Sequence, residues 1–256
     1  MTAWAELIGM TEGAVAVGFA VFVRIAAMTA ILPAFGEQSI PMRIRLGLAL
    51  AFTIIVVPAS GLSNLALDSR LLFRIPAEAA TGLFFGLLLR FFVIALQIAG
   101  SIAAQSTSLS QIFGGSAGVD PQPAMGRTLI IAGLAIATMM GLHVQIAKYM
   151  VGSYNLVPFG AILDPNIVLK IGLSAVSECF VLGFALAGPF VVSSLIYNVT
   201  LGVINKAMPQ LMVSFVGAPA ITAGGLLLLF LAAPVMLGIW VMAMDNFFVS
   251  SLWVDR

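Results

Sequence analysis

From about residue 216 to residue 244 this chain carries no charged side chain, and shorter stretches of the same kind recur along its 256 residues. A helix needs about 20 consecutive apolar residues to cross a bilayer core. Inside lipid every backbone N–H and C=O must also be satisfied within the protein. A chain built from such stretches is expected to be an all-α integral membrane protein. Composition agrees: charged residues make up 8% of the chain and hydrophobic residues 61%. A soluble domain usually carries about 25% charged residues, so this chain could not cover a water-facing surface.

Six hydrophobic segments follow: residues 13–32, 46–58, 75–104, 128–147, 167–199 and 216–244. The second is short for a span. Pro189 interrupts the fifth, and Pro219 and Pro234 lie inside the last. Proline removes a helical hydrogen bond and clashes with the preceding turn, so segments broken by Pro and Gly are expected to form short helices packed as hairpins. The whole chain, 1–256, is expected to be a single membrane domain. Glu6 and Glu12 stand where a signal peptide would have its basic region, so the first segment is expected to stay in the mature protein.

With a net charge of +1, nothing in the sequence suggests a nucleic-acid partner or a polybasic lipid patch. Cys179, the sole cysteine, rules out an intrachain disulfide and reads as a buried, inert thiol. No metal-ligand cluster, phosphate loop or dinucleotide fingerprint occurs, so neither a metal nor another cofactor is expected. Gly114-Gly115-Ser116-Ala117-Gly118 matches the G-x-S-x-G pattern of serine hydrolases. No strand-rich sequence surrounds it and His143 is the only histidine, so a small-residue loop is the better reading. The chain is not expected to be an enzyme.

Arg24, Arg90 and Glu178 lie inside apolar segments, where a charge is costly and is usually paired or in a wet site. They read as assembly or buried charges, together with Lys206. An ion or proton path is the alternative, but it usually needs several carboxylates or histidines within reach. Gly82 and Gly86 have the spacing that permits close helix contact. Residues 101–118 are rich in uncharged polar side chains, with Leu109, Ile112 and Phe113 interspersed before the double glycine, and no charge follows until Asp120. Uncharged polar groups with glycines suit a passage lining or plug. An ordinary extramembrane hairpin fits the same composition equally well. A second polar region, 198–214, contains Asn205, Lys206, Pro209 and Gln210.

Taken in order, these residues resemble the FliR family of flagellar export-gate subunits along nearly the whole chain. The ordered set begins with Arg24, Pro33-Ala34-Phe35-Gly36, Ile40-Pro41 and Arg43 to Leu50. It continues with Glu78, Gly82, Gly86, Arg90 and Gln97-Ile98-Ala99-Gly100, then Asp120-Pro121, His143, Lys148, Ser153-Tyr154 and Pro158-Phe159-Gly160. Pro189, Asn198, Gly202, Asn205-Lys206, Pro209-Gln210, Gly217, Pro219 and Gly224 complete it. Departures stand at Leu142 and Met212, and in the Ser/Thr run after Gln105 where the family usually has glycine.

The resemblance implies a non-enzymatic structural and gating subunit of a type III protein export gate in the bacterial inner membrane, at the flagellar basal body. It implies FliP-like and FliQ-like partners in a hetero-oligomeric pore, FlhB-like and FlhA-like neighbours, contact with lipid, and unfolded proteins as cargo. It favours a plug at residues 105–125, with Gln105, Gln111, Ile112, Phe113, Gly114, Gly115, Asp120 and Pro121 as its residues. Pro33, Gly36, Pro41, His143, Pro189, Pro209 and Gln210 would be structural. A virulence injectisome gate, a proton-coupled transporter and an intramembrane serine protease are the alternatives.

Overall fold

The computed structural model of the chain describes residues 2–37, 40–62, 69–112, 124–208 and 213–252, and every regular element among them is helical. In order these are α1 (Thr2–Thr29), α2 (Met42–Ala59), α3 (Ser69–Ile112), α4 (Ala124–Met139), α5 (Leu142–Leu156), α6 (Pro165–Ala207) and α7 (Val213–Leu252). Among the described residues, four stretches are long and apolar enough to cross a membrane: Met42–Ala59, Arg74–Thr107, Pro165–Ala207 and Pro219–Ser250. The broken pair Met125–Met139 and Leu142–Leu156 would make a fifth.

Two expectations change. Segment 128–147 is not one helix, because Gly141 adopts φ 87° between α4 and α5. Glycine enters this left-handed region without the clash a Cβ would cause, and its N–H bonds back to the carbonyl of Thr138 at 3.1 Å. The prolines, by contrast, do not cut their segments: α6 runs 43 residues through Pro189, and α7 runs 40 through Pro219 and Pro234. Each proline forfeits one backbone bond, whereas ending a helix in an apolar medium would expose several unpaired groups at once. Continuing is the cheaper solution.

Residue contacts divide the chain into two compact units. The first comprises residues 1–91, 137–175 and 246–256. In it α1 buries Ala16, Val17, Ala20, Val21, Ile25 and Met28. The Gly82–Gly86 pair of α3 faces α1: a Cβ on Gly82 would run into the carbonyl of Arg24, and one on Gly86 would come within 2.9 Å of the carbonyl of Met28. Tyr149 of α5 packs among Phe85, Phe247 and Phe248 at ring separations of 5.7 to 5.9 Å.

A tight turn follows α1. Ala34 has φ 65°, unusual for a residue other than glycine. Gly36 donates its N–H to the carbonyl of Leu32 at 2.7 Å, and a Cβ there would clash with the backbone of Ala30. Pro41, with φ −57°, occupies the N-cap of α2.

The second unit comprises residues 92–136 and 176–245. Its core is centred on Trp240, fully buried, whose indole N–H donates to the carbonyl of Phe92 at 2.7 Å. Gly100 and Gly126 let α3 and α4 touch backbone to backbone. Phe190, Leu186 and the thiol-bearing Cys179 are buried on α6. Beyond Phe190 the helix changes character: from Val191 to Ala207 no residue of α6 is buried.

Candidate functional site

The most fully built polar site lies in the first unit, around a charge that hydrophobicity alone would not place there. Arg24 of α1 has no exposed surface, and Glu78 of α3 is 1% exposed. Their side chains form a two-point fork: Arg24 Nε donates to Glu78 Oε2 at 2.7 Å and a terminal nitrogen donates to Oε1 at 3.0 Å. Planar guanidinium and carboxylate groups match in this way, and such charge-assisted pairs are the strong ones.

The other terminal nitrogen donates to the carbonyls of Ser153 at 3.2 Å and Val157 at 2.9 Å. These carbonyls close the C-terminus of α5, where a helix leaves acceptors unsatisfied and its dipole favours a cation. Glu78 Oε1 also accepts the N–H of Gly160 at 2.7 Å. The Tyr154 ring lies 3.9 Å beneath the guanidinium carbon, a favourable cation–π contact. Two buried charges thus join α1, α3, the end of α5 and the turn after it. Gly160 has φ 73°, and the stem of Arg74 packs against it.

A second ion pair braces the turn after α1. Arg90 donates to Glu37 Oε1 at 2.5 Å, with both side chains about a quarter exposed at 28% and 25%. Arg45 donates from its side chain to the carbonyls of Ile40 at 3.1 Å and Glu37 at 2.6 Å. Pro33, Gly36 and Pro41 therefore sit in a turn held from outside by two arginines.

The structure treats the expected charges differently. Arg24 and Arg90 have carboxylate partners within the chain. Glu178 and Lys206 are exposed on α6, so burial within the chain does not describe them. Lys206 falls in the last turn of α6, where a cation complements the helix dipole. His143 is exposed at the start of α5, and Pro189 is exposed on α6.

Of the expected plug residues, Gln105, Gln111 and Ile112 belong to α3 rather than to a loop. The helix continues because its hydroxyls turn inward on their own backbone: Ser101 to Gln97, Ser106 to Ala103 and Thr107 to Ala104, each at 2.8 Å. Such bonds satisfy the polar groups without leaving the helix. Phe113, Gly114, Gly115, Ser116, Asp120 and Pro121 lie outside the described residues, as do Pro209 and Gln210. Glu78, Tyr154 and Gly160 were not singled out as site residues by sequence reasoning. A signal existed, since Arg24 and Glu78 are opposite charges in two separate apolar segments.

Apolar helices long enough to span lipid, with charges joined in internal clamps, define a multi-pass helical membrane protein. Comparison with known proteins makes this specific. The chain matches the bacterial export proteins, family 1, over residues 15–247, and it belongs to that family. It is similar to the flagellar biosynthetic protein FliR of Caulobacter vibrioides, 31% identical over 249 residues, covering 92% of this chain and 90% of that one. The FliR of Aquifex aeolicus is 28% identical over 221 residues, covering 84% of each chain. That of Escherichia coli is 26% identical over 220 residues, covering 83% of this chain and 82% of the relative.

Proposed function

We propose that this chain is a non-enzymatic structural and gating subunit of the flagellar type III protein export gate, set in the bacterial inner membrane at the flagellar basal body. Membership of the FliR family over most of its length carries the reading. FliP-like and FliQ-like subunits would complete the pore, FlhB-like and FlhA-like proteins would adjoin it, and unfolded flagellar proteins would be its cargo. The chain would serve as one membrane domain, its exposed apolar helices covered by lipid and by these partners. The arrangement of charge supports a structural role: Arg24, buried in the apolar interior, is engaged four times by acceptors of its own chain. A guanidinium so held has no freedom to relay ions.

The gate would lie in residues 105–125, entered by the uncharged polar end of α3 and continued by the double glycine. Deleting Gly114-Gly115 tests this. Assembly with the partner subunits should persist, measured by co-purification, while the resting pore leaks ions into cells or liposomes. A deletion pore as tight as the unaltered one would remove the plug from this segment. Ser116→Ala should leave export unchanged; loss of export in that variant would revive a hydrolytic reading.

A further inference from the structure

We propose that residues 157–161 are an anchor that fixes the start of α6 within the first unit, with Phe159 and Arg74 as its positioning residues. Connections between helices usually run over the surface and move more than the elements they join. This one is fastened at several points. Arg24 holds the carbonyls of Ser153 and Val157, and Glu78 accepts the N–H of Gly160. The segment also closes on itself, the N–H of Ala161 donating to the carbonyl of Pro158 at 3.1 Å.

Phe159 supplies an apolar attachment. Its ring packs against Ala16 and Ala20 of α1, both buried. Residues four apart on a helix lie on one face, and side chains this small leave room above them for a ring. Arg74 of α3 completes the arrangement. Its guanidinium carbon is 5.8 Å from the centre of the Phe159 ring, within the range of a cation–π contact. Its Cδ stands 2.6 Å from where a Cβ on Gly160 would be. Arg74 is exposed, so its stem covers the turn while its charge stays in reach of water.

α6 begins directly after this turn. Asp164 caps it: the side chain accepts the N–H of Asn166 at 2.9 Å and the carbonyl accepts that of Val168 at 3.0 Å. Such a side-chain oxygen suits a helix N-terminus, and Pro165 stands at the first helical position, where a missing N–H leaves no helical bond unmade. From Ala161 to Asp164 the chain can reach at most about 11 Å even when extended. Holding Ala161 therefore confines the cap and with it the first turns of α6, which belong to the same unit. Those turns expose Ile167, Leu169 and Leu173. A helix that must meet neighbouring subunits needs a fixed starting point, and this part of the inference rests on the proposed export-gate function.

Amide hydrogen exchange on the purified full chain tests the anchor. In the unaltered chain Gly160, Ala161, Asn166 and Val168 are expected to exchange slowly. Phe159→Ala should speed exchange at all of these while leaving Ile146 and Met150, inside α5, protected. Arg74→Ala should have the same effect more weakly, and Arg74→Lys, which keeps a stem, should restore protection. If Phe159→Ala fails to accumulate, the two Arg74 variants carry the same expectations. Rapid exchange at Gly160 and Ala161 in the unaltered chain would overturn the anchor. Loosening of these two with Asn166 and Val168 still protected would overturn its hold on α6. In cells, Phe159→Ala chain present at the normal level should recover less FliP-like subunit on purification, and full recovery would overturn the positioning role. An unaltered chain that recovers no such subunit would count instead against the export-gate reading.

Discussion

Glu78→Gln changes one oxygen to nitrogen, and the buried clamp makes that a severe substitution. Glu78 receives three donors: two from Arg24, split between its oxygens, and one from Gly160, which shares Oε1. A glutamine oxygen can serve only one side of that fork, and its amide then points N–H at N–H on the other. Arg24 keeps its charge, with no surface exposed to water. Breaking a buried ion pair from one side typically costs about 3–5 kcal/mol, because the remaining charge is uncompensated. Removing both members, as in Arg24→Leu with Glu78→Leu, takes the charge away. It still takes a partner from the Val157 carbonyl and the Gly160 N–H. Both are half-buried, so each costs less than the roughly 1–3 kcal/mol of a fully buried unpaired group. The double variant should therefore lose stability, but less than the sum of its single variants, a coupling a double-mutant cycle isolates. Thermal unfolding of the detergent-solubilised protein gives the stability order, and immunoblots of membranes give the accumulated level. Glu78→Gln melting at the wild-type midpoint, or single losses that simply add, would refute the argument that the clamp is a coupled buried pair.

Two smaller perturbations separate close packing from open surface. Gly82→Ala places a methyl against the Arg24 carbonyl and should cost about 1–3 kcal/mol by overpacking, whereas Gly18→Ala meets nothing within 4 Å and should gain about 0.5–1 kcal/mol from helix propensity; equal melting midpoints would contradict this. The Arg90–Glu37 pair is partly exposed, so Arg90→Gln should change stability by no more than about 1 kcal/mol, and a loss matching that of Glu78→Gln in the same melt would show that its exposure has been misjudged.

How much of this was legible beforehand depended on whether the signal was local. Charge-free length is a property of a single segment, and it correctly gave helices and a membrane. Gly82 and Gly86 were readable as a contact surface because spacing within one helix defines a face, though nothing in the spacing named α1 as the partner. The break at Gly141 was missed because a glycine inside an apolar run is equally compatible with a continuing helix. Pro189 misled in the opposite direction, since the local penalty of proline is known but the penalty of stopping in lipid is set by the surroundings. The Arg24–Glu78 pair spans 54 positions in sequence, and its further partners, the backbone of Ser153, Val157 and Gly160, carry no side-chain signature at all. A site completed by carbonyls and amides is invisible to residue-type reasoning until the turn that presents them is known.

The length of the helices bears on what else must cover this protein. At 1.5 Å of rise per residue, the 43 residues of α6 contain about 64 Å of helix, roughly twice the hydrocarbon thickness of about 30 Å. An ordinary span would become polar once it left the lipid. Yet residues 179–205 of α6 carry no charge, and Val191, Val192, Leu195, Ile196, Val199 and Val203 are all exposed. In water alone such a surface would be an aggregation hazard. Lipid can cover only part of so long an apolar helix, so the rest calls for protein neighbours. At about 100° per residue these six positions fall within an arc of about 140°, so they form one broad apolar face for such a neighbour. The hydrophobicity that first marked this chain as a membrane protein therefore counts, in part, the area it reserves for assembly.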